Sequence, residues 1–185
     1  MEKVHELITK RWSPVAFDGR KVEEDKIALL FEAARWAPSA QNLQPWRFIV
    51  AEKGQPDHDA LFGLLNEGNR EWAGSAPLLV LVLGQVISTY KNRPNRFAFF
   101  DAGMAVGNLL LQATAMGLSV HQMGGYDEER AKSELVIPSR YEPISMMAIG
   151  YHGDASKLSK NLQERENRKR ERMDLDQFVV PGKCK

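Results

Sequence analysis

Four short stretches carry side chains able to hold a planar, heteroatom-rich ring and a phosphate. In RWSPVAF (11–17), Arg11 and Ser13 place a guanidinium and a hydroxyl two residues apart. That pair suits a phosphate clamp, or a capping serine beside a surface arginine. In AARWAPSAQNLQPWRFIV (33–50), Pro38 and Pro45 bracket Ser39, Gln41, Asn42 and Gln44. The Asn42 and Gln44 amides donate and accept together, matching a ring edge of alternating C=O and N–H groups; an ordinary proline-defined turn would use the same residues. Gly124-Gly125 could expose two backbone N–H groups to a ligand, or simply turn the chain. Arg170 and Arg172 share one side of an extended segment, although most charge runs are only solvated.

The elements that would position these loops follow from apolar spacing. Residues 3–10 place Val4, Leu7 and Ile8 on one helical face, ended by Ser13-Pro14. From Glu23 to Trp36, Ile27, Leu30, Phe31 and Ala34 repeat at helical spacing, with acids in the first turn. Arg47–Ala51, Leu78–Leu83, Ser119–Met123 and Ser145–Gly150 read as strands, Ala60–Leu65 and Glu128–Leu135 as helices, and Gly68-Asn69 as a turn. Phe97–Met116 is the longest helix, and its small residues Ala102, Gly103, Ala105, Gly107, Ala113 and Ala115 invite close approach by other helices. Lys157–Arg172 reads as a charged linker and LDQFVV (175–180) as a final strand, docked on its own subunit or exchanged with a partner. Helices and strands mix without regular βαβ alternation, which favours α+β.

Bulk properties exclude several function classes. At 185 residues, the chain reads as one domain. A net charge of +1 gives no global field for nucleic acid or a lipid surface. MEKVHELITK lacks the apolar core of a signal peptide, and LLVLVLG (78–84) is strand-sized, not membrane-spanning. The single cysteine, Cys184, allows neither an internal disulfide nor a cysteine metal cluster. His5, His58, His121 and His152 lack metal-ligand spacing. There is no dinucleotide fingerprint, Walker loop or nucleophile elbow. Redox chemistry would need a bound cofactor. The whole reads as a cytoplasmic globular protein.

In order along the chain, RWSPVAF, AARWAPSAQNLQPWRFIV, GNREWAGSAPLLVLVLG (68–84), DAGMAVGNLLLQATAMGLSVHQMGGYD (101–127), YEPISMMAIGYHGD (141–154) and RERMDLDQFVV (170–180) resemble the nitroreductase family of flavoproteins. The resemblance implies an α+β sandwich around a mostly antiparallel sheet, a homodimer, and a C-terminal strand crossing to the partner. It implies FMN as cofactor, with Arg11, Ser13, Arg170 and Arg172 on its phosphate and Trp12 beside them. Asn69 would meet the pyrimidine edge, and the backbone at Met123, Gly124 and Gly125 would address N5 and O4. Pro38, Ser39, Ala40 and Asn42 would come from the other protomer. No side chain is expected as general acid or base. NADH or NADPH would be the donor and a small nitroaromatic or quinone the acceptor, alternating in one pocket. Many relatives carry a cation where Val15 stands, and some where Trp72 stands; Arg47 or Arg70 could substitute. Only Ser88–Asn95 and Lys157–Arg168 are available to cap the pocket. Rival readings are a non-catalytic FMN binder or sensor, other flavin chemistry such as dehalogenation, azoline oxidation or flavin fragmentation, and a flavin-free dimeric module.

Overall fold

Leu78–Gln85 is apolar at all but two positions. In the computed structural model, which describes residues 3–90 and 92–182, it forms the strand β2, buried along its whole length. A strand sends alternate side chains to opposite faces, so a fully apolar strand needs cover on both. Leu79, Leu81 and Leu83 enter one hydrophobic cluster and Leu78, Val80 and Val82 the other. The partners of β2 are β1 (Trp46–Glu52) and β4 (Tyr141–Gly150), and β3 (Ser119–Met123) pairs with the far edge of β4. The order is β1-β2-β4-β3, and every pairing is antiparallel.

Helices α1 (Glu6–Lys10), α2 (Glu24–Arg35), α3 (Pro56–Leu64), α4 (Glu67–Ala73), α5 (Ala98–Ala115), α6 (Glu128–Glu134) and α7 (Lys160–Glu166) flank this sheet. One cluster joins the sheet to α3, α4, α6 and α7 through Leu61, Leu64, Trp72, Ala131 and Leu162. The other joins it to α2 and α5 through Leu30, Ala34, Ala102, Ala105 and Leu109. The result is an α+β sandwich. Of the small residues on α5, Ala102, Ala105 and Ala113 are spent inside the chain. Gly103 is exposed and Gly107 half-buried, and a Cβ at either would meet nothing within 4 Å.

Four expectations are corrected. Gly68 and Asn69 lie inside α4, because the Asn66 side chain caps its N-terminus by accepting the Asn69 N–H. The last strand begins at Tyr141, not Ser145; a bulge opposite Val82/Leu83 carries the ladder past Pro143. The supposed linker contains α7, whose Leu162 and Glu166 are buried and anchor it to the fold. Finally, of the two alternatives for LDQFVV, docking on its own subunit is excluded: Leu175–Gln177 is a 3-10 turn, and residues 175–180 join no sheet of their own chain. Cys184 lies outside the described residues.

Leu81 has no exposed surface. Leu81→Ala should cost about 2–5 kcal/mol in urea unfolding, against under about 0.5 kcal/mol for Leu29→Ala, since Leu29 is 47% exposed.

Candidate functional site

The segment after α1 is held by one carboxylate. Glu166, at the end of α7 and 8% exposed, accepts the Val15 N–H at 2.6 Å, the Ala16 N–H at 3.1 Å and the Trp12 Nε1–H at 3.0 Å. Its Oε1 also lies 2.9 Å from His152 Nε2. Burial alone would raise the Glu166 pKa, but the Val15, Trp12, Ala16 and His152 bonds together hold it below the ordinary carboxylate range. Gly153 N–H donates to Ala16 carbonyl oxygen at 3.0 Å, an approach that only glycine allows: a Cβ there would lie 2.5 Å from the Phe17 carbonyl carbon. Residues 12–16 are thereby locked against α7 and the end of β4.

Arg11 and Ser13 project from this locked segment, with Arg11 Nη1 donating to Ser13 Oγ at 2.9 Å. Trp12, Ser13, Arg165, Arg168, Arg170 and Arg172 border a cleft of about 420 Å³. The lining acid is Glu171, 4.0 Å from Lys169. Arg170 donates to the Thr9 carbonyl at 2.7 Å and lies 5.6 Å from the Trp12 ring centre; Arg172 donates to the Glu171 carbonyl at 2.6 Å. The Arg11 pKa is lowered, first by burial and then by Arg170 and Arg172. Guanidinium groups that destabilise one another in this way suit an anion, and a phosphate monoester brings close to two negative charges.

A second group lies on α4 and after β3. Asn69 Nδ2 donates to the Gly125 carbonyl at 3.0 Å, and Asn66 N–H donates to the same oxygen at 3.0 Å, which fixes that peptide plane. A Cβ at Gly125 would fall 2.2 Å from Asn66 Nδ2, whereas at Gly124 it would meet nothing within 4 Å. Gly125 is therefore demanded by packing, while Gly124 faces open space. The Met123 side chain is buried in the core, so only its backbone is available to a ligand.

The arm Pro38–Asn42 stands apart. Gln41, Asn42 and Gln44 all hold left-handed backbones, with φ of 53°, 54° and 46°, a costly state for residues with a side chain. Local bonds maintain it. Gln44 N–H donates to Ser39 Oγ at 3.0 Å, Gln44 Nε2 donates to Asn42 Oδ1 at 3.2 Å, and Ala40 N–H donates to Asp101 Oδ2 at 3.0 Å. The Gln44 amide is thus spent inside the arm instead of facing a ring. Ala37 and Trp46, which flank the arm, belong to the cluster on the α2/α5 face. Val15, Trp72, Met123 and Leu162, which carry the cleft, belong to the other face. One chain does not bring the two halves together.

Val15 and Trp72 are buried, at 1% and 2% exposure. The two arginines considered as substitutes are both tied to carbonyls: Arg70 to Leu65 and Gly63, Arg47 to Gln44 and Trp46. Asp101, Arg165 and Glu166 escaped the sequence reading. Asp101 had a signal, as an acid in the apolar run AFFDAGMAV; Glu166 looks like every other charge in its run.

A family model described as the nitroreductase family matches residues 8–151. The chain belongs to the nitroreductase family. A solved structure described as an oxidoreductase containing FMN is 37% identical, with a TM-score of 0.93, covering 100% of this chain and 94% of that one. A nitroreductase family protein from Clostridium difficile 630 is 25% identical at a TM-score of 0.75, over 99% and 100% of the two chains. A 15.4 kDa protein of Mycolicibacterium smegmatis, uncharacterized by its name, is 35% identical over 145 residues, 74% of this chain and 96% of that protein. An Archaeoglobus fulgidus protein named "Putative NADH dehydrogenase/NAD(P)H nitroreductase" is 29% identical over 161 residues, 83% and 88% of the two.

In this nitroreductase-family chain, Glu166→Gln should lower stability at neutral pH by about 2 kcal/mol, the scale of hydrogen bonds to a charged group. The folded-state pKa of Glu166 is depressed, so its contribution is present above the unfolded value and lost as pH falls through the folded one. Thermal melts across an acid series should show the gap between parent and variant closing on acidification.

Proposed function

We propose that the chain is an FMN-dependent oxidoreductase, working as a homodimer, that passes reducing equivalents from NADH or NADPH to a small electrophilic acceptor such as a nitroaromatic or quinone. The observation that carries the reading is the arginine cleft on one face of the sheet, matched by a rigid amide-bearing arm on the other. Two copies can bring one chain's arm to the other's cleft.

The donor set fits FMN. Arg11, Ser13, Arg170 and Arg172 would hold the phosphate, with Trp12 packed beneath Arg170. Asn69 and the backbone at Met123, Gly124 and Gly125 would meet the ring's polar edge, where the open side of Gly124 leaves room. Pro38, Ser39, Ala40 and Asn42 would wall the ring from the second protomer, already ordered before it arrives, which lowers the cost of binding. FMN, when bound, supplies the two-electron chemistry; no side chain of this chain is assigned as general acid or base.

Several exposed apolar residues support the dimer. Phe99 and Phe100 on α5 are 52% and 67% exposed beside the uncovered Gly103. Met173, Leu175, Phe178, Val179 and Val180 are all at least half exposed, a patch suited to a partner's surface. The reading takes residues 1–185 as one nitroreductase-like domain acting in the cytoplasm, with 160–185 reaching the partner. No helix among the described residues is long and apolar enough to cross a membrane.

Anaerobic NADH or NADPH should bleach the visible absorbance of the FMN-loaded protein, and initial-rate plots against donor and acceptor should run parallel. A flavin left oxidised by both donors would make the protein a binder or sensor instead. Arg172→Gln should weaken FMN by about 10–100-fold, the worth of a charge-assisted bond, and leave riboflavin, which lacks the phosphate, unaffected.

A further inference from the structure

Arg165 differs from the other arginines of the cleft in what it touches. It sits in the last turn of α7, next to Glu166 in sequence. Its guanidinium carbon lies 5.7 Å from the centre of the Trp72 ring, and its Nη2 lies 3.5 Å from His121 Nε2. The Trp72 and His121 rings are themselves 4.4 Å apart. His121 Nδ1 faces the Pro14 carbonyl oxygen at 2.8 Å. A carbonyl can only accept, so Nδ1 carries the proton and Nε2 presents a lone pair to Arg165. Burial lowers the His121 pKa, and Arg165 and Arg11 push the same way. The imidazole is thus a neutral prop for the guanidinium and not a second cation.

Both partners of Arg165 stand on the elements that carry the residues read above as meeting the ring's polar edge. Trp72 follows Asn69 by three residues on α4, and His121 precedes Gly124 by three on β3. Asn69 and Gly125 are bonded to each other. Among the described residues Arg165 pairs with no carboxylate within 4 Å. Arg168 also lines the cleft but touches neither ring.

We propose that Arg165, seated on Trp72 and bonded to His121, is the cation that faces the pyrimidine edge of the bound flavin and offsets the negative charge it gains on reduction. This rests on the FMN reading above. When the nicotinamide donor gives up a hydride it leaves oxidised, and the ring gains two electrons and one proton, hence one net negative charge. An opposite charge within about 4–6 Å favours the charged form. Val15 and Trp72 are apolar and buried, and neither Arg47 nor Arg70 lines the cleft that Arg165 lines. Arg165 is therefore the group in place to meet that charge.

The test loads the full-length parent, Arg165→Gln and Arg165→Lys with FMN. It measures the midpoint potential by anaerobic titration, and the affinity for oxidised FMN separately. Arg165→Gln should bind the reduced form about tenfold more weakly, with little change for oxidised FMN, lowering the two-electron potential by about 30 mV. Arg165→Lys should retain most of the parent's potential. An unchanged potential in Arg165→Gln overturns the proposal. Loss of oxidised-FMN affinity as large as that of Arg172→Gln, without a potential shift, overturns it too and moves Arg165 to the phosphate. A parent protein that takes up no FMN overturns the flavin reading and this inference with it.

Discussion

A buried carboxylate surrounded by donors organises one side of this molecule. Glu166 reaches from α7 into the turn after α1 and meets two backbone N–H groups, an indole N–H and an imidazole. Removing such a group from water is expensive, and several good bonds must offset it. Once they do, the segment bearing Arg11 and Ser13 has little freedom. α7 is fixed by the same contacts, and with it Arg165 and the start of the arginine-rich run. A single acid thus sets the spacing between cations that come from opposite ends of the chain and repel one another.

The arm on the other face is organised differently. Three non-glycine residues with positive φ lie within four positions, a concentration of backbone strain that side-chain and backbone bonds must hold in place. Asp101 supplies the link to α5, accepting from Ala40 while itself only 2% exposed. The arm is held by bonds within its own chain. The residues flanking the arm and those carrying the arginine cleft belong to opposite faces of the sheet, and that separation is what the proposal of a two-chain site rests on.

Much of this was legible from residue types. The apolar β2 run, the helical spacing of α2 and α5, and the break at Ser13-Pro14 are local patterns, and local patterns survive folding. The misses share a cause. Gly68 in a helix and Pro143 in a strand defy propensity because an Asn66 cap and a bulge override it. LDQFVV has strand composition but forms no ladder within its own chain. The bonds of Arg47 and Arg70 to backbone carbonyls likewise have no signature in local spacing.

By itself, the sequence determined the class of fold, the family, and the residue types of the candidate cleft, since each of these is written in short spacings and ordered motifs. Only the tertiary structure decided which charges in the run 157–172 turn inward, that Trp72 and His121 form a shelf under Arg165, and that arm and cleft lie on opposite faces. The reason is that burial and pairing are properties of neighbours distant along the chain: Glu166 is an anchor because Val15 and Ala16, some 150 residues away, point their N–H groups at it.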